Sequence, residues 1–248
     1  MDHHTETKNA FTLLLLCSAV TVCLWFIPFA GVVTYPFRIF VTMIHETGHA
    51  LAALLTLGQP MRITLNWNGS GLTETYGGIG FFISSAGYLG AMTFGAGLLL
   101  ILRRAANARF AAVGTGALLV LVTLLLGGNL AAWVVGIVFG FGLLALGVFA
   151  PRRITHFFMS FLAVQSVLNS LYDLRTLMYI SATAPGTPTD AQNMARATDN
   201  FIPAIVWSII WALISLAILA GTLYVYYKSL GRGHSVEEHQ TKAASAAA

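Results

Sequence analysis

Seven long apolar stretches constrain the fold of this 248-residue chain more than any other feature of its sequence. A helix needs about 20 mostly apolar residues to cross the hydrocarbon core of a bilayer, and each stretch is close to that length or longer. The sequence therefore predicts an all-α polytopic membrane protein with about seven transmembrane helices. The stretches are residues 10–33, 36–57, 79–102, 109–126, 129–150, 154–179 and 201–227.

The scarcity of charge excludes a water-soluble globular protein. Charged residues make up 9% of the chain and hydrophobic residues 57%, whereas soluble domains carry about 25% charged residues. The formal net charge is +4, but the basic residues lie beside the apolar stretches, as in membrane proteins. We therefore predict a membrane environment and no nucleic-acid partner.

The basic residues also predict an orientation. Cytoplasmic connections of membrane proteins are enriched in lysine and arginine. With seven spans, most of these residues fall on one side, which places the N-terminus outside and the C-terminus in the cytoplasm. The cell membrane is the expected location. The residues on that side include Arg103, Arg104, Arg109, Arg152, Arg153, Lys228 and Arg232.

Three segments are too polar to span a membrane. Residues 61–76 alternate apolar and polar residues around an Asn-Gly-Ser-Gly turn, which predicts a β-hairpin. Residues 181–200 form an extramembrane loop, in which Thr189 is typical of the N-cap of a short helix. Residues 228–248 are expected to be a disordered tail. The chain then has one integral membrane domain, residues 1–227.

The second apolar stretch contains an HExxH motif, His45-Glu46-Thr47-Gly48-His49. Residues four apart lie on one face of a helix, so both imidazoles can reach one metal ion. Glu46 then takes the position of the general base in zinc hydrolases, beside the metal-activated water. Ionisable groups within a membrane span are costly unless they pair, bind a ligand or contact water. The motif therefore predicts a zinc site.

A third protein ligand is needed, because catalytic zinc commonly has three. Asp173 in the sixth stretch is the first candidate, since its depth from the end of its span is similar to that of His49. Asp190 in the following loop is the alternative. Asn169, one turn deeper than Asp173, is expected to hydrogen-bond the site or the substrate backbone.

Together these segments are similar to the site-2 protease family of intramembrane zinc metallopeptidases, and most of all to its small B-like branch. The resemblance covers about residues 36–220. It rests on HETGH in a membrane helix, the hairpin that follows, the glycine-rich segment GGIGFFISSAGYLG, and the segments YDLRTL and TDA. Better-known members carry Asn-x-x-Pro followed by Asp-Gly, whereas here no proline lies between Asn169 and Asp173.

The resemblance implies one zinc ion held by His45, His49 and most naturally Asp173, with Glu46 as the catalytic residue. It also implies that the hairpin presents a strand to an unwound substrate, where Trp67 and Glu74 are expected to contact it.

The sequence thus predicts a zinc metalloendopeptidase that cleaves membrane-associated protein substrates. One alternative is a non-catalytic membrane scaffold that keeps the metal for structure. A transporter that uses buried histidine and aspartate is a further alternative, although no inverted pair of broken spans is found.

Overall fold

The computed structural model describes residues 12–13, 15–21, 23 and 30–246, and only the backbone from residue 229 onward. Ten of the 24 residues of the first predicted span, 10–33, lie outside these residues. The elements in chain order are α1 (Ala30–Leu55), β1 (Gln59–Leu65), β2 (Gly71–Tyr76), α2 (Gly80–Ile101), a 3-10 turn (Ala105–Asn107), α3 (Ala108–Leu126), α4 (Leu130–Phe149), α5 (Arg152–Thr183), α6 (Asp190–Ala197) and α7 (Ala204–Ala246).

Five helices of the described chain are long and apolar enough to cross a membrane, namely α2, α3 with its preceding turn, α4, α5 and the first 25 residues of α7. They coincide with the last five predicted spans. The helical, polytopic class and the hairpin after the HExxH helix are confirmed, while the number seven stays a prediction. Helix α1 is not among the five, because its polar residues lower its mean hydropathy.

Helix α1 lies in the centre of the bundle. Its Phe40 is fully buried and packs against Phe94 of α2 and Phe139 of α4, with ring centroids 6.1 and 5.1 Å apart. One turn earlier, Phe37 makes an edge-to-face contact with Phe161 of α5 at 5.0 Å. These apolar contacts hold the HExxH helix against three neighbours, and its polar face turns towards the hairpin.

The hairpin is a two-stranded antiparallel sheet whose two outer edges differ. The edge of β1 is covered by the α3–α4 connection. There the amide of Gly128 donates to the Ile63 carbonyl, and the Asn129 side chain bonds both the amide and the carbonyl of Leu65. The outer edge of β2 has no strand partner among the described residues. An unpaired strand edge is a template for a further strand.

The end of the chain differs from its sequence-based prediction. Residues from 228 onward are expected to be disordered, but α7 continues as a helix to Ala246. The segment from Val236 contains glutamate, glutamine, lysine and alanine, all of which have high helix propensity. A helix that has already begun in α7 also extends more easily than a new one starts.

Candidate metal centre

His45 and His49 of α1 meet Asp190 at the start of α6. The two Nε2 atoms are 3.0 Å apart, and each lies 3.3 Å from Oδ2 of Asp190. Nitrogen and oxygen ligands lie about 2.0–2.1 Å from a tetrahedral zinc ion, which separates neighbouring ligand atoms by about 3.3–3.4 Å. The three side chains therefore fit one zinc ion in both ligand chemistry and spacing.

The orientation of His49 is fixed by a second contact. Its Nδ1 donates a hydrogen bond to the carbonyl of Ile83 in α2, at 2.6 Å. This bond leaves the lone pair of Nε2 directed at the other two ligand atoms. Metal-bound histidines commonly use their second nitrogen in this way. The ring of His45 packs edge-to-face on Tyr88 of α2, with centroids 4.6 Å apart.

Two glycines let α1 and α2 approach closely enough to place the imidazoles. A Cβ at Gly48 would collide with the Ala86 carbonyl, and a Cβ at Gly87 would collide with Nε2 of both His45 and His49. Small residues permit such close contact between membrane helices. The space that a side chain at Gly87 would fill is thus the space beside the ligand atoms.

Glu46 lies beside the three ligands and is buried. Its Oε2 accepts a hydrogen bond of 2.7 Å from the hydroxyl of Thr73 in β2. A Cβ at Gly71 would collide with Oε1, so this glycine allows the strand to lie directly against the carboxylate. Strand β2 therefore holds the catalytic candidate in place and runs past it.

Three side chains of α1 fix the hairpin turn against the helix. The hydroxyl of Tyr35 donates to the carbonyl of Trp67 at 2.6 Å, and Arg38 donates to that of Asn68. The hydroxyl of Thr42 donates to the carbonyl of Gly69 at 3.0 Å. The three donors lie three to four residues apart and share one helical face. They set the position of β2 relative to Glu46.

Asp190 reaches the histidines because α6 begins with it and is docked at that point. The Thr189 hydroxyl caps the helix by accepting from the amide of Gln192 at 3.2 Å, as predicted for this N-cap. Ala191, Met194 and Ala195 are buried in an apolar cluster with residues of α5 and α7. Burial raises the pKa of the Asp190 carboxyl, but the two imidazoles outweigh it and hold this pKa below its usual range.

The ligand atoms and Glu46 face one cavity of ≈ 610 Å³. Its walls are α1, the hairpin turn and β2, the segment from Gly77 to Gly80, the start of α2, the second half of α5 and the start of α6. Gly77 and Gly78 have positive φ angles of 68° and 77°, which glycine tolerates. The cavity is large enough to admit a peptide segment beside β2.

The comparison with known proteins agrees with this geometry. The family model of Peptidase M50B-like proteins matches residues 13–222.

The chain belongs to the M50B-like peptidase family.

No curated protein and no solved structure matches it at a significant level. Membership, together with the five apolar helices, makes this chain an integral membrane protein of a protease family.

In this M50B-like protein Asp190, rather than Asp173, joins the two histidines. Asp173 faces the same cavity from α5, so its depth is similar to theirs, but it is not in the group of three. The physical reason is the turn after α5. Beyond Thr183 the chain reverses through residues 184–189, which brings the start of α6 back to the histidines. Asp190, the alternative third ligand, is thereby favoured over Asp173.

The three residues expected to contact substrate do not line the cavity. Asn169 donates to the carbonyl of Gln165 in its own helix. Trp67 is exposed in the hairpin turn. Glu74 forms a 2.8 Å ion pair with Arg62, because side chains alternate along a strand and Thr73 is the one that faces Glu46.

Several residues of the site carry no signal of their own in the sequence. Thr73, Gly87 and Tyr88 each contact a residue of the HExxH motif. Tyr88 also stacks on Trp211 of α7, with centroids 5.6 Å apart. The segment SAGYLG contains Gly87 and Tyr88 and contributed only to the family resemblance. The contact of Gly87 with His45 and His49 is apparent only when α1 and α2 are packed together in the fold.

Proposed function

We propose that this protein is an intramembrane zinc metalloendopeptidase that hydrolyses peptide bonds of membrane-associated substrates. The observation that carries the proposal is the meeting of His45, His49 and Asp190, with ligand atoms within 4.8 Å of one another, beside Glu46 in one cavity. The membership of a peptidase family supports the same conclusion.

Nε2 of His45, Nε2 of His49 and a carboxylate oxygen of Asp190 are the proposed ligands of one zinc ion. Zinc, when bound, would polarise the peptide carbonyl and the attacking water. The Ile83 carbonyl keeps the proton of His49 on Nδ1, and so keeps Nε2 available as a ligand. Gly87 leaves the space beside both Nε2 atoms open.

Glu46 is the proposed general base. Its Oε1 lies against Gly71 and its Oε2 accepts from Thr73, so the carboxylate is fixed beside the place where a strand would run. It takes a proton from the attacking water and then passes this proton to the nitrogen of the leaving amine. Since Glu46 is buried, little bulk water competes for the proton.

The free edge of β2 is the proposed platform for the substrate. A helical substrate hides its peptide bonds, whereas a segment paired with β2 is extended and exposes them. The edge of β1 is already covered by Gly128 and Asn129, which leaves β2 as the available side. A strand on β2 would pass close to Glu46.

The structure also supports an orientation for the site. Arg109 bonds the carbonyl of Ala150, and His156 bonds that of Leu102, so the two arginine-rich connections lie at one end of the bundle. We assign this end to the cytoplasm. The cavity is lined by the start of α2 and the second half of α5, which lie at the opposite end. The site would then open on the external side.

Metal content tests the proposal most directly. The purified protein is expected to hold close to one zinc ion per chain. Asp190→Asn and His45→Ala should lose it, whereas Asp173→Asn, which removes the same charge from the same cavity, should keep it. Retention by Asp190→Asn together with loss by Asp173→Asn would assign the third ligand to Asp173. A parent protein that takes up no zinc would contradict the metallopeptidase proposal.

Cleavage is tested by labelling new protein N-termini in membranes from cells that express either the parent or Glu46→Gln. Peptide bonds cut only by the parent support a protease. If the parent and Glu46→Gln proteins both hold zinc and yield the same set of new N-termini, the result would instead favour a non-catalytic metal-binding scaffold.

A further inference from the structure

Asp173 is a charged group of the cavity wall that the proposed metal centre does not use. It lies on the face of α5 that lines the cavity, together with Thr176, Leu177 and Ile180. These four residues follow the spacing i, i+3, i+4 and i+7, which places them on one side of the helix. Within the described part of the chain, no hydrogen bond and no ion pair is formed by the Asp173 carboxylate.

The charges around the cavity do not balance. The residues that line it include the carboxylates of Glu46, Asp173 and Asp190, and neither lysine nor arginine. One divalent ion would balance Asp190 and Glu46, which leaves Asp173 without a counter-charge among the residues that line the cavity. Asp173 is half-buried in the wall of this cavity, and a partly desolvated carboxylate is costly unless a cation or several hydrogen-bond donors approach it.

The residues that the structure describes do not supply that cation at close range. The guanidinium of Arg38 of α1 is bonded to the carbonyl of Asn68 in the hairpin turn and forms no ion pair with Asp173. Arg175 is two positions further along α5 and is exposed. Residues two apart lie on different faces of a helix, so Arg175 points away from Asp173. Since the described residues offer Asp173 no partner, a bound molecule is the source that we consider for it.

We propose that Asp173 is a specificity residue that binds the lysine or arginine side chain of a substrate segment lying along β2. This inference rests on the proposed function. Strand β2 and the second half of α5 are walls of the same cavity, so a strand on β2 can direct a side chain towards α5. An endopeptidase binds the interior of a chain, and for this reason the cation is assigned to a side chain rather than to a free N-terminus.

Peptide binding to zinc-loaded Glu46→Gln protein in detergent tests the assignment without turnover. The probes are acetylated, amidated and fluorescently labelled nonapeptides of threonine and valine. In each, one position carries either lysine or its uncharged analogue norleucine, and this position is moved along the peptide. A third set carries norleucine and a free N-terminal amine. Fluorescence anisotropy gives the Kd of each peptide.

At one or two neighbouring positions, lysine is expected to bind about tenfold tighter than norleucine, the scale of a partly buried charge pair. Adding Asp173→Asn should remove this advantage. Adding Asp173→Lys should instead make the peptide with glutamate at the same position bind more tightly than the norleucine peptide. The matched control is Asp199→Asn, which removes one negative charge from an exposed site outside the cavity. It should leave the advantage unchanged.

Equal binding of lysine and norleucine peptides at every position would overturn the inference, as would failure of all peptides to bind. A lysine advantage that survives in the Asp173→Asn variant would overturn it too. So would a gain in affinity that depends on Asp173 but comes only from the free N-terminal amine of the third peptide set. None of these results touches the proposed function, which is judged by zinc content and by Glu46-dependent cleavage. Conversely, a zinc-free parent would contradict that function before any peptide is measured.

Discussion

The two halves of the candidate site are built in different ways. In α1 and the hairpin, His45, Glu46 and His49 lie within one and a half helical turns, and β2 follows closely along the chain. In the other half, Asp190 comes from a short helix far away in sequence, placed by a chain reversal and by apolar docking. The first half depends on local spacing and the second on tertiary structure.

This difference has a consequence for robustness. The histidines are held by a long helix that is buried on several sides, and His49 has an additional bond to Ile83. Asp190 is the first residue of an eight-residue helix, and its side chain is more exposed than that of His49. We therefore expect changes in α1 and α2 to act strongly on catalysis and metal geometry, and changes in α6 other than at the ligand Asp190 itself to act more weakly.

Glu46→Gln should have the largest effect. The amide cannot accept the proton of the attacking water, and general acid–base groups contribute about 10²–10⁴-fold to rate. We expect cleavage to fall by about a thousandfold while zinc content stays at the parent level, measured by mass spectrometry of metal and of new N-termini. Zinc loss in this variant would mean that Glu46 has a structural part in the metal centre.

Gly87→Ala should have the next largest effect, because the added methyl group occupies the space beside both Nε2 atoms. Groups that orient metal ligands commonly alter affinity by about 10–100-fold, and we expect a loss in this range. Gly97→Ala is the matched control, since it lies in the same helix and its Cβ would meet nothing within 4 Å. A chelator competition titration gives the zinc affinities, and equal values would contradict the described packing.

The same division between local spacing and tertiary structure explains how much of the fold and of the site can be predicted from the sequence. The apolar stretches predict all five candidate spans of the described chain, and alternation around the Asn-Gly-Ser-Gly turn predicts the hairpin, because both signals are local. HExxH spacing brings two histidines and a glutamate to one site for the same reason. By contrast, the preference for Asp190 over Asp173 depends on the reversal after Thr183 and on the docking of α6, neither of which leaves a periodic signal.

The sequence pattern also does not predict which side chains of the hairpin face the site. Trp67 and Glu74 are the conspicuous residues of this segment, but the alternation of a strand allows either set of residues to face the site. The choice is made by α1, whose Tyr35, Arg38 and Thr42 bind the hairpin turn. Once the turn is fixed, Thr73 faces Glu46 and Glu74 pairs with Arg62.

Thr73→Val tests the role assigned to β2, which is to hold Glu46 in place. Valine keeps the shape of threonine but removes the hydroxyl that donates to Oε2 of Glu46. A hydrogen bond to a charged group contributes about 1.5–3 kcal/mol, so we expect cleavage to fall about tenfold at unchanged zinc content. Thr73→Ser should restore most of it. Thr64→Val, on β1 and outside the cavity, is the control, and an equal loss there would mean that the hairpin is merely destabilised.

Thr189→Ala should produce the smallest of these effects and bears on the α6 half alone. Loss of an N-cap costs about 1 kcal/mol, and part of this cost appears as weaker zinc binding, because zinc binds the folded start of α6 through Asp190. We expect the zinc affinity to fall about threefold to fivefold, and Thr189→Ser to recover it. Thr183→Ala is the control, since its hydroxyl donates to the Tyr179 carbonyl within α5. If Thr189→Ala instead abolished zinc binding, the start of α6 would be as strongly coupled to the metal as α1 is. An affinity equal to that of the parent would mean that the apolar docking of Ala191, Met194 and Ala195 holds Asp190 without help from the cap.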